Sequence, residues 1–131
     1  IGSLRPEVEK AFEAALEIQG YLEENLKPGN DGAELFAGAA ALAEAAGLAG
    51  NFMGVPGEQA KFVGHGIGLE LDEFPILAQG FKTPLKLHQT VAIEPKFVFP
   101  GIGAIGIENS FTVGPEKGVR LTVLPDAIVR L

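Results

Sequence analysis

Phe62-Val63-Gly64-His65-Gly66-Ile67-Gly68-Leu69-Glu70-Leu71-Asp72-Glu73-Phe74-Pro75 is the stretch on which the reading of this chain turns. It sets one of only two histidines among three glycines, so that backbone or a ligand can come close to the imidazole where side chains would otherwise stand. That is an odd setting for a packing residue, yet a lone histidine among glycines reads equally well as a plain turn histidine. The other histidine, His88, lies in the polar run Lys86-Leu87-His88-Gln89 and reads as a solvated surface residue.

Around this stretch, and throughout the chain after Gly50, short runs rich in Val, Ile and Phe alternate with Gly and Pro. Lys61-Phe62-Val63, Val91-Ala92-Ile93, Phe97-Val98-Phe99 and Ser110-Phe111-Thr112-Val113 therefore read as strands separated by turns. The chain before Gly50 is helical in pattern. Val8, Phe12, Ala15, Gln19, Leu22 and Leu26 recur at helical spacing, with Ala11, Leu16 and Ile18 widening the stripe. Pro6 suits the first turn, and Lys27-Pro28-Gly29 stops the helix. Asp31 with Glu34 three residues on announces a second helix through a capping box, with Leu35, Ala39, Leu42 and Ala46 facing inward and an end near Gly47. Its many Ala and Gly residues fit either close approach to a sheet or simple helix propensity. Two helices followed by a group of strands predict an α+β domain, with the helices on one face of an antiparallel sheet. No internal repeat or low-complexity linker divides the chain.

The composition narrows the chemistry. At 131 residues the chain fits one compact domain, and 47% hydrophobic with 21% charged residues is the mix of a folding, soluble protein. It has no cysteine, so disulfides, thiolate metal sites and cysteine nucleophiles are excluded together, and any metal must be held by His and carboxylates. A net charge of -7 with ten scattered Lys and Arg opposes a nucleic-acid partner. The most apolar stretch, Leu35 to Gly50, is interrupted by Glu44 and is mainly Ala and Gly, so neither a membrane span nor a signal peptide is expected, and a cytoplasmic location follows. The chain opens on Ile1-Gly2-Ser3 directly ahead of a helix, which fits a piece of a longer protein.

Two carboxylates stand in apolar surroundings: Glu94 in Val91-Ala92-Ile93-Glu94-Pro95, and Glu108 in Ala104-Ile105-Gly106-Ile107-Glu108-Asn109. A buried, ionised carboxylate needs compensation, and a metal ion is one form of it. The other reading is that each Glu points to the solvent side of its strand, as alternation permits. One His and two Glu make a hard donor set suited to Mn, Fe, Co or Zn. Gly101-Ile102-Gly103-Ala104-Ile105-Gly106 matches the dinucleotide fingerprint letter for letter, with Asp126 20 residues further on. Its context is wrong, since Pro100 precedes it and a strand-like run follows, so these glycines read as a turn between strands.

Taken together, these residues resemble the metallopeptidases of the pita-bread fold: aminopeptidase P, prolidase and the more distant methionine aminopeptidases. The stretch from Phe62 to Pro75 is similar to their G-H-G-I-G-L-E-x-H-E-x-P block. Ile93-Glu94-Pro95, Pro100-Gly101 and Gly106-Ile107-Glu108-Asn109 look like the later I-E-P-G and V-R-I-E-D blocks, in the same order and at matching spacing. The resemblance implies a partial pita-bread fold, with residues 1–131 as the C-terminal portion of a peptidase catalytic domain. It implies two divalent metal ions (Mn, Co, Zn or Fe), with His65 as the imidazole ligand, Glu94 as a ligand that also handles protons in catalysis, and Glu108 as the bridging carboxylate. It further implies a peptide substrate and a homodimer. Gly-Leu-Glu after the histidine favours the Xaa-Pro branch.

The departures from the pattern matter as much. Asp72 stands where the family has a second, substrate-contacting His, and an ionised Asp cannot donate a hydrogen bond. Gly106 replaces the Arg of V-R-I-E-D and Asn109 its final Asp, which removes a guanidinium able to hold a substrate carboxylate. The family's two Asp ligands come from a strand pair upstream of the blocks matched here, and Asp31, Asp72 and Asp126 do not lie in that motif. Three functions therefore compete: a metal-dependent exopeptidase acting on peptides with proline in second position, a non-catalytic module that binds peptides or proteins, and a metal-free hydrolase resembling creatinase. A closely spaced Asp pair encoded just before Ile1 would favour the first. A partial sheet is also expected to expose apolar surface and self-associate, which sedimentation of a strictly monomeric chain would contradict. The 131-residue chain by itself is expected to bind metal weakly or not at all, and to leave peptides uncut. Calorimetry showing two metal ions bound at micromolar affinity would refute that.

Overall fold

The computed structural model describes residues 3–129. Helix α1 runs Pro6–Asn25, with Pro6 in its first turn and Glu7 and Glu9 placed where carboxylates offset the exposed N–H groups. Helix α2 runs Gly32–Ala45, and the Asp31 side chain accepts from the Glu34 amide at 2.9 Å, one half of the expected capping box. Seven strands follow: β1 Phe62–Gly66, β2 Glu73–Ala78, β3 Thr90–Ile93, β4 Lys96–Phe99, β5 Gly103–Gly106, β6 Asn109–Thr112 and β7 Val119–Arg120. Five form an antiparallel sheet in the order β2-β1-β3-β6-β7, while β4 and β5 form a separate hairpin. The antiparallel α+β architecture is as expected. Strands β2, β5 and β7 lack the Val and Ile density that marked the others in sequence.

Helix α1 packs on β4 and β5, and α2 on β2, β1 and α1. The buried faces differ in detail from the predicted stripes. In α1 the inward residues are Ala11, Ala14, Ala15, Ile18, Gln19 and Leu22, while Val8 and Phe12 are half-buried. In α2 they are Gly32, Leu35, Ala39 and Ala43, while Leu42 and Ala46 pack at the rim of the core. Glycine takes the first inner position of α2 because backbone comes close there. A Cβ on Gly32 would lie 2.0 Å from the Ile76 carbonyl oxygen, so α2 rests against the backbone of β2 with no clearance. The core between the layers holds Leu22, Leu35, Val63, Leu77, Val91, Ile93, Phe97 and Phe111, and Phe52 stacks between Phe36 and Phe97.

Gln19, read as part of an apolar stripe, is buried for a polar reason. Its amide donates to Asp126 Oδ2 at 2.8 Å and its oxygen accepts from Asn109 Nδ2 at 2.7 Å. Arg120 clamps the Asp126 carboxylate through two nitrogens at 2.6 Å and donates to Asn109 Oδ1 at 2.7 Å. The network ties α1, β6, β7 and the C-terminal segment together, and it fixes the residue next to Glu108. Among the described residues, no helix is long and apolar enough to cross a membrane. Leu69, Leu71 and Phe74 near β2, and Leu121, Val123 and Leu124 after β7, are exposed.

Removing the Phe111 ring should cost about 3–5 kcal/mol in Phe111→Ala, read from urea denaturation, because the side chain is completely buried in the core. The Asp126 network gives a pH effect of definite sign. Hydrogen bonds from Arg120, opposed in part by burial and reinforced by Asn109 and Gln19, hold the Asp126 carboxyl below its usual range. Its contribution to stability is therefore full above the unfolded value of about 3.9 and is lost as pH falls through the lower folded value. Asp126→Asn should lower stability at neutral pH and flatten the acid limb, as followed by urea midpoints across that range.

Candidate metal centre

Strand β1 carries His65 between two neighbours, pairing it with Ala92 of β3 and Ile76 of β2. The flanking glycines are explained by crowding. A Cβ on Gly64 would lie 2.5 Å from the Ala92 carbonyl oxygen, and one on Gly66 2.4 Å from that of Phe74. It is backbone, then, that the glycines admit around His65.

The imidazole is buried, and its Nδ1 lies 3.0 Å from the Gly66 carbonyl oxygen. A carbonyl can only accept, so this contact places a proton on Nδ1 and turns Nε2 toward the site. There Nε2 meets Asp72 Oδ1 at 3.2 Å and Glu94 Oε1 at 3.6 Å. Glu94 follows β3 directly, its amide donating to the Val63 carbonyl at 3.0 Å, and its side chain is only 14% exposed. A nitrogen lone pair and two carboxylate oxygens repel one another unless a proton or another cation stands between them. The place thus calls for positive charge.

One such charge is already present. Lys96 Nζ lies 2.6 Å from Glu94 Oε2. Sequence reasoning passed over this residue, although the signal was there: Ile93-Glu94-Pro95-Lys96 puts a lysine where the similar family block closes on glycine. Glu108, between β5 and β6, is exposed and borders a cavity of about 220 Å³ shared with Glu94, Lys96 and Gly106. Of the expected site residues, Asp72 and Glu94 thus each come within direct reach of His65, and Glu108 stands across the cavity from Glu94. Among the described residues, no three His, Cys, Asp or Glu are spaced to hold a metal ion. The donors fit a divalent metal in kind, as imidazole and carboxylate oxygens. As arranged they do not fit one in number, and an ammonium sits on the carboxylate that would face it.

His88 is exposed in the loop before β3, as read from sequence. Of the glycine run that imitates a dinucleotide fingerprint, only Gly101 and Ile102 lie in the turn between β4 and β5, with positive φ at Gly101 and Gly103. No helix follows it, and Gly103–Gly106 is itself strand β5.

The model of metallopeptidase family M24 matches residues 1–115. The Xaa-Pro dipeptidase of Pyrococcus furiosus is 30% identical over 122 residues, covering 93% of this chain and 33% of that protein. Among solved structures, an Xaa-Pro dipeptidase from Bacillus anthracis superposes with a TM-score of 0.87 at 30% identity, over 100% of this chain and 35% of its own. The X-Pro aminopeptidase of Thermotoga maritima gives 0.86 at 28% identity, over 97% of this chain and 34% of that one. The chain therefore spans about a third of the length of the relatives it matches, and its α+β architecture is that of the pita-bread enzymes. With the motif positions and the fold in agreement, the chain belongs to metallopeptidase family M24.

Proposed function

We propose that residues 1–131 are the C-terminal portion of the catalytic domain of a metal-dependent exopeptidase that releases residues from peptides with proline in second position. The observation that carries this reading is the approach of His65 and Glu94, from separate strands, to 3.6 Å at the positions of two family blocks. In this proposal His65, Glu94 and Glu108 hold divalent metal, with manganese among the candidates, completed by carboxylates from outside the chain. When bound, such cations acidify a water and polarise the scissile carbonyl. Glu94, largely sheltered from solvent, takes a proton and hands it to the leaving amine. Asp72, mostly exposed beside His65, receives the free ammonium of the peptide, for which an ionised carboxylate is a fitting acceptor. Because Gly106 offers no guanidinium to a terminal carboxylate, peptides longer than two residues suit the site. A cytoplasmic location and a homodimer of the intact protein belong to the same proposal, the latter supported by the exposed Leu121, Val123 and Leu124.

A second reading draws on one observation. The Lys96 ammonium on Glu94 favours a metal-independent hydrolase, or a module that binds peptides without cutting them.

The intact protein carrying this chain separates these readings when incubated with Ala-Pro and Ala-Pro-Ala, with added Mn(II) or with chelator. Metal-dependent release of alanine is expected, slowed about a hundredfold to ten-thousandfold in kcat by Glu94→Gln. Hydrolysis that survives chelation supports the metal-free reading, and binding without hydrolysis supports the module.

A further inference from the structure

We infer that Lys96 is a resident counter-cation for Glu94, which competes with divalent metal for that carboxylate and sets how much metal this site needs before it loads. The inference rests on the reading of Glu94 and His65 as the cation-binding side of the site, and it concerns a residue that reading does not use.

Three observations converge on it. The first is contact: Lys96 Nζ lies 2.6 Å from Glu94 Oε2, while the other oxygen of the same carboxylate faces His65 Nε2 at 3.6 Å. The ammonium and the imidazole thus divide one carboxylate between them. The second is shielding. The Glu94 side chain is 14% exposed and that of Lys96 40%, so the pair sits where solvent screens it only in part and where losing one partner leaves an uncompensated charge.

The third is the ladder. Lys96 stands directly opposite Gly106 in the β4–β5 pairing, and Gly106 is the position at which the resembling block carries arginine. Position 106 cannot take a side chain here. A Cβ there would lie 2.5 Å from the Pro95 carbonyl oxygen and 2.7 Å from the Cβ of Lys96. A positive charge on this pair of positions can therefore come only from β4, and Lys96 supplies it. That charge is seated on Glu94. Both positions border the cavity that Glu94 and Glu108 share, so the lysine adds its charge inside the site.

Two like charges on one carboxylate repel each other, the more so where solvent screens them only in part. A metal ion binding Glu94 therefore works against the ammonium already seated on it, which lowers its affinity.

The test is a titration of the intact protein that carries this chain with Mn(II), reading paramagnetic broadening of the His65 ring resonances by NMR, in the wild type, Lys96→Met and Lys96→Gln. Lys61→Met, an exposed lysine that borders Phe36 and Gln79 rather than Glu94, controls for net charge. The amide spectrum confirms the fold of each variant. Half-broadening at about tenfold lower Mn(II) or less in both Lys96 variants, with Lys61→Met matching the wild type, is the expected result. Equal titration curves overturn the inference and leave the peptidase reading standing. An equal gain in Lys61→Met also overturns it. Absence of broadening in every protein overturns it together with the metal-binding role of His65. Because the readout is binding rather than turnover, the outcome is independent of whether the intact protein hydrolyses peptides.

Discussion

The organising constraint of this molecule is electrostatic. Pairing β1 with β3 seats a buried imidazole against a nearly buried carboxylate, and the exposed Asp72 adds a second acceptor on the same nitrogen. Such a cluster is stable only with positive charge inside it. The glycines that flank His65 bring the strands close enough to create the problem, and Lys96 on β4 answers part of it. The rest of the fold follows from holding these strands in place: α2 braces β2 through Gly32, and α1 covers the hairpin that carries Lys96.

Much of this was legible in the sequence, for reasons particular residues make plain. The four strands rich in Val, Ile and Phe were readable because they are buried, and the two helices because their ends carry Pro6, Asp31 and Gly29. Strand β2 was hidden by Pro75 and by its exposed Phe74. Strand β5 was hidden by glycines at both ends, and β7 is two residues long. The inner faces of the helices were read correctly at Ala11, Ala15, Ile18, Gln19, Leu22, Leu26, Leu35 and Ala39, while Ala14, Gly32 and Ala43 were missed. Hydrophobicity points to the largest apolar side chains, whereas close contact with the backbone of β2 selects Gly32. Gln19 shows the same limit, since its burial depends on Asn109 and Asp126, some 90 and 107 positions away.

The candidate site was legible in its members more than in its geometry. Spacing along the chain identified His65, Glu94 and Glu108, but spacing contains no information on which side-chain atoms meet. That Asp72 touches His65, and that Glu108 stands across a cavity instead of beside it, depends on how β2 and β6 are placed by the sheet. Lys96 was visible as a departure from a familiar block, yet its importance emerges only when its ammonium is seen on Glu94.

The polar knot of Gln19, Asn109, Arg120 and Asp126 joins the first helix to the last described stretch of chain. Closing so large a loop costs entropy, and the sheet that holds β6 beside β7 offsets part of that cost by bringing the members of the knot near one another. Its completion acts as a clasp. Through Asp126 and Thr122 the segment after β7 supplies two of the partners of Asn109, and so anchors the residue next to Glu108. The face of the sheet that bears Glu108 is thus held from two distant parts of the chain, by α1 on one side and by the segment after β7 on the other.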